Sequence, residues 1–192
     1  ARRRQAAGWI EAERDLAAQV RRHDQGRPDE RLITRVHRHR DVARFRQRAL
    51  IVCDTGPLVA LANERDEHYF TANNLFRDLF MVKEAIVLPA TVMAEVCYWL
   101  NHHGGPEVEA AFLDSVADGT FTLVELTNDD VARMAELVRQ FSSFPLGGTD
   151  ASVVAVAERL GAREIATLDR RHFPSITPKG GGHFTLLPET IP

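Results

Sequence analysis

Four acidic residues, Asp54, Glu95, Asp150 and Asp169, stand where strand-like runs hand over to helices or loops. Asp54 ends the run Ala49-Leu50-Ile51-Val52-Cys53, and Glu95 lies about a turn and a half into the helix expected after Ala85-Ile86-Val87-Leu88-Pro89. Asp150 opens the helix-like Ala151-Ser152-Val153-Val154-Ala155-Val156-Ala157, and Asp169 ends Ile165-Ala166-Thr167-Leu168. If the strands are parallel, these ends share one edge of the sheet, where open α/β sheets bind ligands. Four carboxylates there repel one another and resist ionising together unless a cation neutralises them. Hard oxygen ligands of this kind suit Mg²⁺ or Mn²⁺.

Each acid also has a structural explanation. Asp54 before Thr55-Gly56-Pro57 reads as a helix cap with proline in the first turn, and Asp150 as an N-cap. Asp169 before Arg170-Arg171 reads as a turn residue or ion-pair partner, and Glu95 as a solvated helix-face residue. One cluster at matching sheet ends is the more economical account. The remaining candidates are weaker. Asp114, Asp118, Asp129 and Asp130 read as surface or capping residues. His102, His103, His172 and His183 lack ligand spacing and read as exposed or packing residues. Gly180-Gly181-Gly182 lacks the following helix of a phosphate loop and reads as a turn.

The elements that must position the acids alternate. Strands are expected at 50–53, 85–88, 121–125, 164–168 and 183–187, and helices at 56–63, 68–80, 90–102, 107–117, 129–141 and 150–160. Such alternation predicts an α/β fold, a central parallel sheet of about five strands flanked by helices. A length check supports convergence. The helix from Asp150 advances about 16 Å at about 1.5 Å per residue, and the strand ending at Asp169 returns about as far. On the helix after Pro89, Val92, Val96, Trp99 and Leu100 form the expected buried stripe, with Thr91, Glu95 and His102 on another face.

The 192 residues bound one domain plus an extension. No run approaches the roughly 18 apolar residues of a membrane span, and the polar N-terminus carries no stretch resembling a signal peptide. Cys53 and Cys97 are expected as free thiols, in keeping with a reducing cytoplasm. The net charge of −3 conceals two opposites. Residues 1–50 hold 14 Arg, no Lys and 7 acids, about +7, while residues 51–192 hold 10 basic and 20 acidic residues, about −10. Residues 1–49 are therefore expected as a basic extension, disordered alone or draped over an acidic surface, and 50–192 as the folded domain. The body alone is too acidic for the usual footprint of a nucleic-acid binder.

Ordered motifs then carry a resemblance over about residues 50–190. They are Ile51-Val52-Cys53-Asp54-Thr55-Gly56-Pro57-Leu58, Leu88-Pro89-Ala90-Thr91-Val92-Met93-Ala94-Glu95-Val96, Gly148-Thr149-Asp150-Ala151-Ser152-Val153-Val154-Ala155 and Ile165-Ala166-Thr167-Leu168-Asp169-Arg170-Arg171-His172-Phe173. In this order and spacing the chain resembles PIN-domain ribonucleases, and among them the VapC-type toxins of toxin–antitoxin pairs. The resemblance implies a PIN fold binding Mg²⁺ or Mn²⁺ through Asp54, Glu95, Asp150 and Asp169, and selective cleavage of RNA that blocks translation. Thr55 matches the hydroxyl the family keeps after its first aspartate, and Thr167 is expected to face the site. The resemblance further implies a cognate antitoxin and a homodimer, and the thiol reading a cytoplasmic protein. Residues 1–49 depart from the minimal toxin. An antitoxin-like tail in the same chain, a native arm and a misassigned upstream start are the open readings. Two competitors stand beside the nuclease. Asp54-Thr55-Gly56 matches the aspartic-protease triplet, although that class needs two triplets in an all-β setting. A non-catalytic interaction protein with a nucleic-acid- or protein-binding arm is the other.

Overall fold

A computed structural model describes residues 50–82, 84–144 and 146–191. The expectations for residues 1–49 lie outside them. The first strand, β1 (Leu50–Cys53), is followed by α1 (Thr55–Leu61), α2 (Tyr69–Met81), β2 (Ala85–Pro89), α3 (Ala90–His103), α4 (Pro106–Ala117) and β3 (Thr122–Val124). Next come α5 (Asn128–Gln140), α6 (Gly148–Leu160), β4 (Glu164–Ala166) and, after a single 3₁₀ turn at Phe173–Ser175, β5 (Thr185–Leu187).

The five strands form one sheet in the order β3-β2-β1-β4-β5, every pairing parallel. The runs of β1 and β2 are short and apolar because helices cover them, leaving no solvated face to demand alternation, while the edge strands β3 and β5 are only partly buried. β1 is central, with Ile51, Val52 and Cys53 all buried. The chain builds outward from β1 to β2 and β3, then crosses to the other side through α5 and α6 to add β4. The strand order therefore reverses between β1 and β4, the position at which open α/β sheets leave a crevice.

The helix α6 is buried from Ala151 to Ala157 and packs on β1, β2 and β4. Its small and β-branched residues suit this close approach to the sheet. Gly161, at φ 70°, ends it in the left-handed conformation that a side chain would resist. Val92, Val96 and Leu100 form the inner stripe of α3 as expected, while Trp99 is half-buried and stacks on His103 at 4.2 Å.

Boundaries differ from expectation in physically readable ways. The strand expected over 164–168 stops pairing at Ala166. Thr167 still donates its N–H to Leu187, but its hydroxyl turns to Asp54 and the chain bends into the Asp169 turn. The cap of α5 is Thr127, which exchanges hydrogen bonds with Asp130 in a capping box, so of Asp129 and Asp130, both read as surface or capping residues, Asp130 is the one that caps. Both cysteines are free. Among the described residues no helix is long and apolar enough to cross a membrane.

Candidate active site

Asp54 sits at the carboxyl end of the central strand, held in register by its N–H to the Ala166 carbonyl of β4 at 2.9 Å. It is the N-cap of α1, and Oδ1 accepts the Thr55 N–H at 2.7 Å. Pro57 in the first turn needs no N–H there, so aspartate and proline together start the helix. Oδ2 accepts the hydroxyl of the fully buried Thr167 at 2.7 Å. With only 6% of its surface exposed, Asp54 is a carboxylate short of water. Burial raises its pKa to about 6; the Thr167 and Thr55 hydrogen bonds hold it down in part, and the charges of Asp150 and Glu95 add to the rise.

Glu95 lies on the exposed side of α3 and is drawn to Asp54 through Thr55, whose hydroxyl donates to Glu95 Oε2 at 2.5 Å. One turn earlier on α3, Thr91 shares a hydrogen bond with Ser152 of α6. That bond ties the helix bearing Glu95 to the helix bearing Asp150.

Asp150 was expected as an N-cap; it is instead the third residue of α6, with Gly147 at the cap. Its Oδ2 accepts the Gly147 N–H at 3.0 Å. Glycine has no side chain to return the bond, so only the carboxylate half of a capping box exists. A Cβ at residue 147 would come within 3.2 Å of that carboxylate oxygen, so glycine keeps the acid uncrowded. Partial burial raises the Asp150 pKa, the Gly147 hydrogen bond and His172 oppose it, and Asp169 and Glu95 reinforce it.

Asp169 is bound within its own turn. Oδ1 accepts the N–H groups of Arg171 (2.6 Å) and His172 (3.1 Å), and Oδ2 meets His172 Nδ1. Burial pushes its pKa up, but these hydrogen bonds and the nearby imidazole outweigh burial and leave it lowered. Thr167 accepts the Asp169 N–H at 3.0 Å, which makes one hydroxyl the link between Asp54 and the Asp169 turn.

All four acids thus gather at the carboxyl edge near the switch point. Asp54, Glu95 and Asp150 interact through their charges, Asp150 with Asp169 as well. Among the described residues, no group of three or more His, Cys, Asp or Glu side chains stands close enough to hold a metal ion. His172, expected as an exposed or packing residue, does pack, but its bond to Asp169 was not read from the sequence. It contacts Asp169 and lies against Phe144 at 4.6 Å. Its spacing of three from Asp169 was the available signal. The aspartic-protease alternative fails on architecture, because Asp54-Thr55-Gly56 leads a parallel strand into a helix.

The PIN domain profile matches residues 51–177. Ribonuclease VapC26 of Mycobacterium tuberculosis is 35% identical over 105 residues, spanning 55% of this chain and 78% of that protein. The crystal structure of Mycobacterium tuberculosis VapC20, a sarcin-ricin loop cleaving toxin, superposes with a TM-score of 0.56 at 21% identity. It covers 62% of this chain and 90% of that one, a likeness of fold. With the matched segment running from the first strand past the Asp169 turn, the chain belongs to the PIN-domain family and is of the VapC type.

Proposed function

We propose that this chain is a metal-dependent endoribonuclease that hydrolyses RNA phosphodiester bonds, acting as the toxin of a toxin–antitoxin pair that blocks translation. The observation that carries the reading is the meeting of Asp54, Glu95 and Asp150 from three separate elements at the sheet's switch point. Ribonuclease VapC26, at 35% identity, points to the same activity.

The donor chemistry fits Mg²⁺ or Mn²⁺. The charges of Asp150 and Glu95 raise the cost of ionising Asp54, which a divalent cation relieves. Mg²⁺ is commonly held by only one or two carboxylates and keeps several of its waters. Asp54, Glu95 and Asp150 would hold it, with Asp169 completing the site. Such an ion supplies an acidified water and offsets charge on the phosphate. The protein's own residues do the rest. Thr55 and Thr167 fix both oxygens of Asp54, Thr55 also steadies Glu95, and the Gly147 N–H fixes Asp150.

An antitoxin and a second copy of the chain are the protein partners of this reading. Exposed apolar side chains on and just after α2 and on α3, Phe70, Met81, Val82 and Tyr98, offer contact surface. RNA as substrate and two free thiols agree with the cytoplasm. The test is incubation of total RNA with the full chain, and with a chain beginning near residue 50, in Mn²⁺ or in EDTA. Metal-dependent cleavage lost in Asp54→Asn is expected. Binding without cleavage by both forms would instead favour the interaction protein.

A further inference from the structure

The body that carries the acids is itself acidic, so a phosphate chain needs a positive contact beside them. Several cations of the described residues are committed elsewhere. Arg133 binds Glu158 and Glu136, Arg159 binds Asp130 and the Glu125 carbonyl, Lys179 binds Glu136, and Arg163 donates to the Gly181 carbonyl.

The two arginines that follow Asp169 diverge. Arg170 is half-buried and donates to the Pro188 carbonyl, and burial holds its pKa below the usual arginine range. Arg171 is exposed and takes part in no ion pair among the described residues. Its guanidinium carbon stands 5.7 Å from the centroid of the Phe144 ring. Phe144 comes from the turn between α5 and α6 and also packs on His172, at 4.6 Å and 46°. His172 in turn bonds Asp169. One aromatic ring therefore props a cation and an imidazole next to the acid edge. A guanidinium lying on a ring keeps its in-plane N–H donors for a ligand, and their fork matches phosphate.

We propose that Arg171, propped on Phe144, binds a backbone phosphate of the RNA beside the candidate acids, with Phe144 as its positioning residue. This rests on the reading of the site as acting on RNA. The full chain and its variants are tested for binding of a labelled single-stranded RNA oligonucleotide in EDTA over a range of salt, and for cleavage of the same RNA in Mn²⁺. Circular dichroism checks that each variant is folded.

Arg171→Gln is expected to weaken binding on the order of tenfold, the loss of one charge-assisted contact. It should flatten the slope of log Kd against log salt by about 0.7, one phosphate on a single strand. KM should rise with kcat held within about twofold. Arg171→Lys should keep the salt slope and lose less affinity. Phe144→Leu should weaken binding with the slope unchanged.

Unchanged affinity and slope in Arg171→Gln would overturn the proposal. So would weaker binding at the parental slope, which would place Arg171 against a base. A fall in kcat at constant KM would overturn it too, by assigning Arg171 to the geometry of Asp169. Arg171-dependent binding by a parent chain that never cleaves would sink the nuclease reading and leave this one standing. Parental cleavage indifferent to Arg171→Gln would do the reverse, and a parent that fails to bind the probe would sink both.

Discussion

Asp54 concentrates the conflict between stability and function in one side chain. An aspartate with an ordinary pKa of 3.8 and a folded value of about 6 binds its proton more tightly folded than unfolded. Between those values the folded state takes up a proton the unfolded state has released, so stability falls as pH rises through that window. Above about 6 the full penalty remains, on the order of 3 kcal/mol. Asp54→Asn removes the charge and keeps a capping side chain. After discounting for a less apt partner to Thr167, we expect a gain of about 1–2 kcal/mol at pH 7.5 in EDTA. That corresponds to roughly 3–6 °C in Tm for a chain of this size. The gain should shrink as pH falls toward 4, while nuclease activity is lost. Thermal melts across pH 4–8 check it; a variant uniformly less stable at every pH would show that Asp54 serves mainly as a cap. Asp54, Asp150 and Asp169 drew notice in the sequence because each stood near an element boundary, and Glu95 because its helix follows a strand. His172 did not, because its role depends on a turn that folds Asp169 back on residues 171 and 172, and on Phe144 arriving from another loop.

At the scale of elements, alternation of short apolar runs with helical periodicity was enough to read a parallel sheet, since both faces need helices. The reversal of strand order beside β1 was not legible. Nothing local in Glu164-Ile165-Ala166 states that it pairs with β1, and only the packing of α6 across β1, β2 and β4 decides it. That packing is fastened by polar contacts with no sequence signature. Arg133 meets Glu158 at 2.8 and 2.9 Å, and Arg159 meets the buried Asp130 at 2.9 Å. Asp130 also closes the α5 capping box. Asp130→Ala strips a cap and leaves Arg159 without its carboxylate. We expect a loss of about 3 kcal/mol, or roughly 6–12 °C in Tm. Arg159 lies nine residues beyond Asp150 on α6, about 14 Å along the helix. Cleavage well below the melting range should therefore stay within about threefold of the parent. A large loss of activity at full folding would mean that the α5–α6 clasp positions the site directly.

Across the whole molecule, the acids belong to the β1–α1 junction, α3 and α6, so a cation held by all three binds only when those elements are assembled. On the proposed reading, metal binding appears as global stability, rising as RT ln(1 + [L]/Kd), about 2.7 kcal/mol at a hundredfold excess over Kd. For a chain of this size that is roughly 5–11 °C in Tm. We expect Mn²⁺ to raise the Tm of the parent over its value in EDTA at pH 8. The rise should be smaller at pH 5.5, where Asp54 is mostly protonated and a ligand must lose its proton first. Asp54→Asn and Asp150→Asn should each remove most of the rise, even though the first is the more stable protein without metal. That crossing of two melting series separates the two roles of Asp54, because a merely structural acid would lose stability in both conditions. An equal Mn²⁺ shift in parent and both variants would place the ion elsewhere on the acidic surface and detach the cluster from the chemistry.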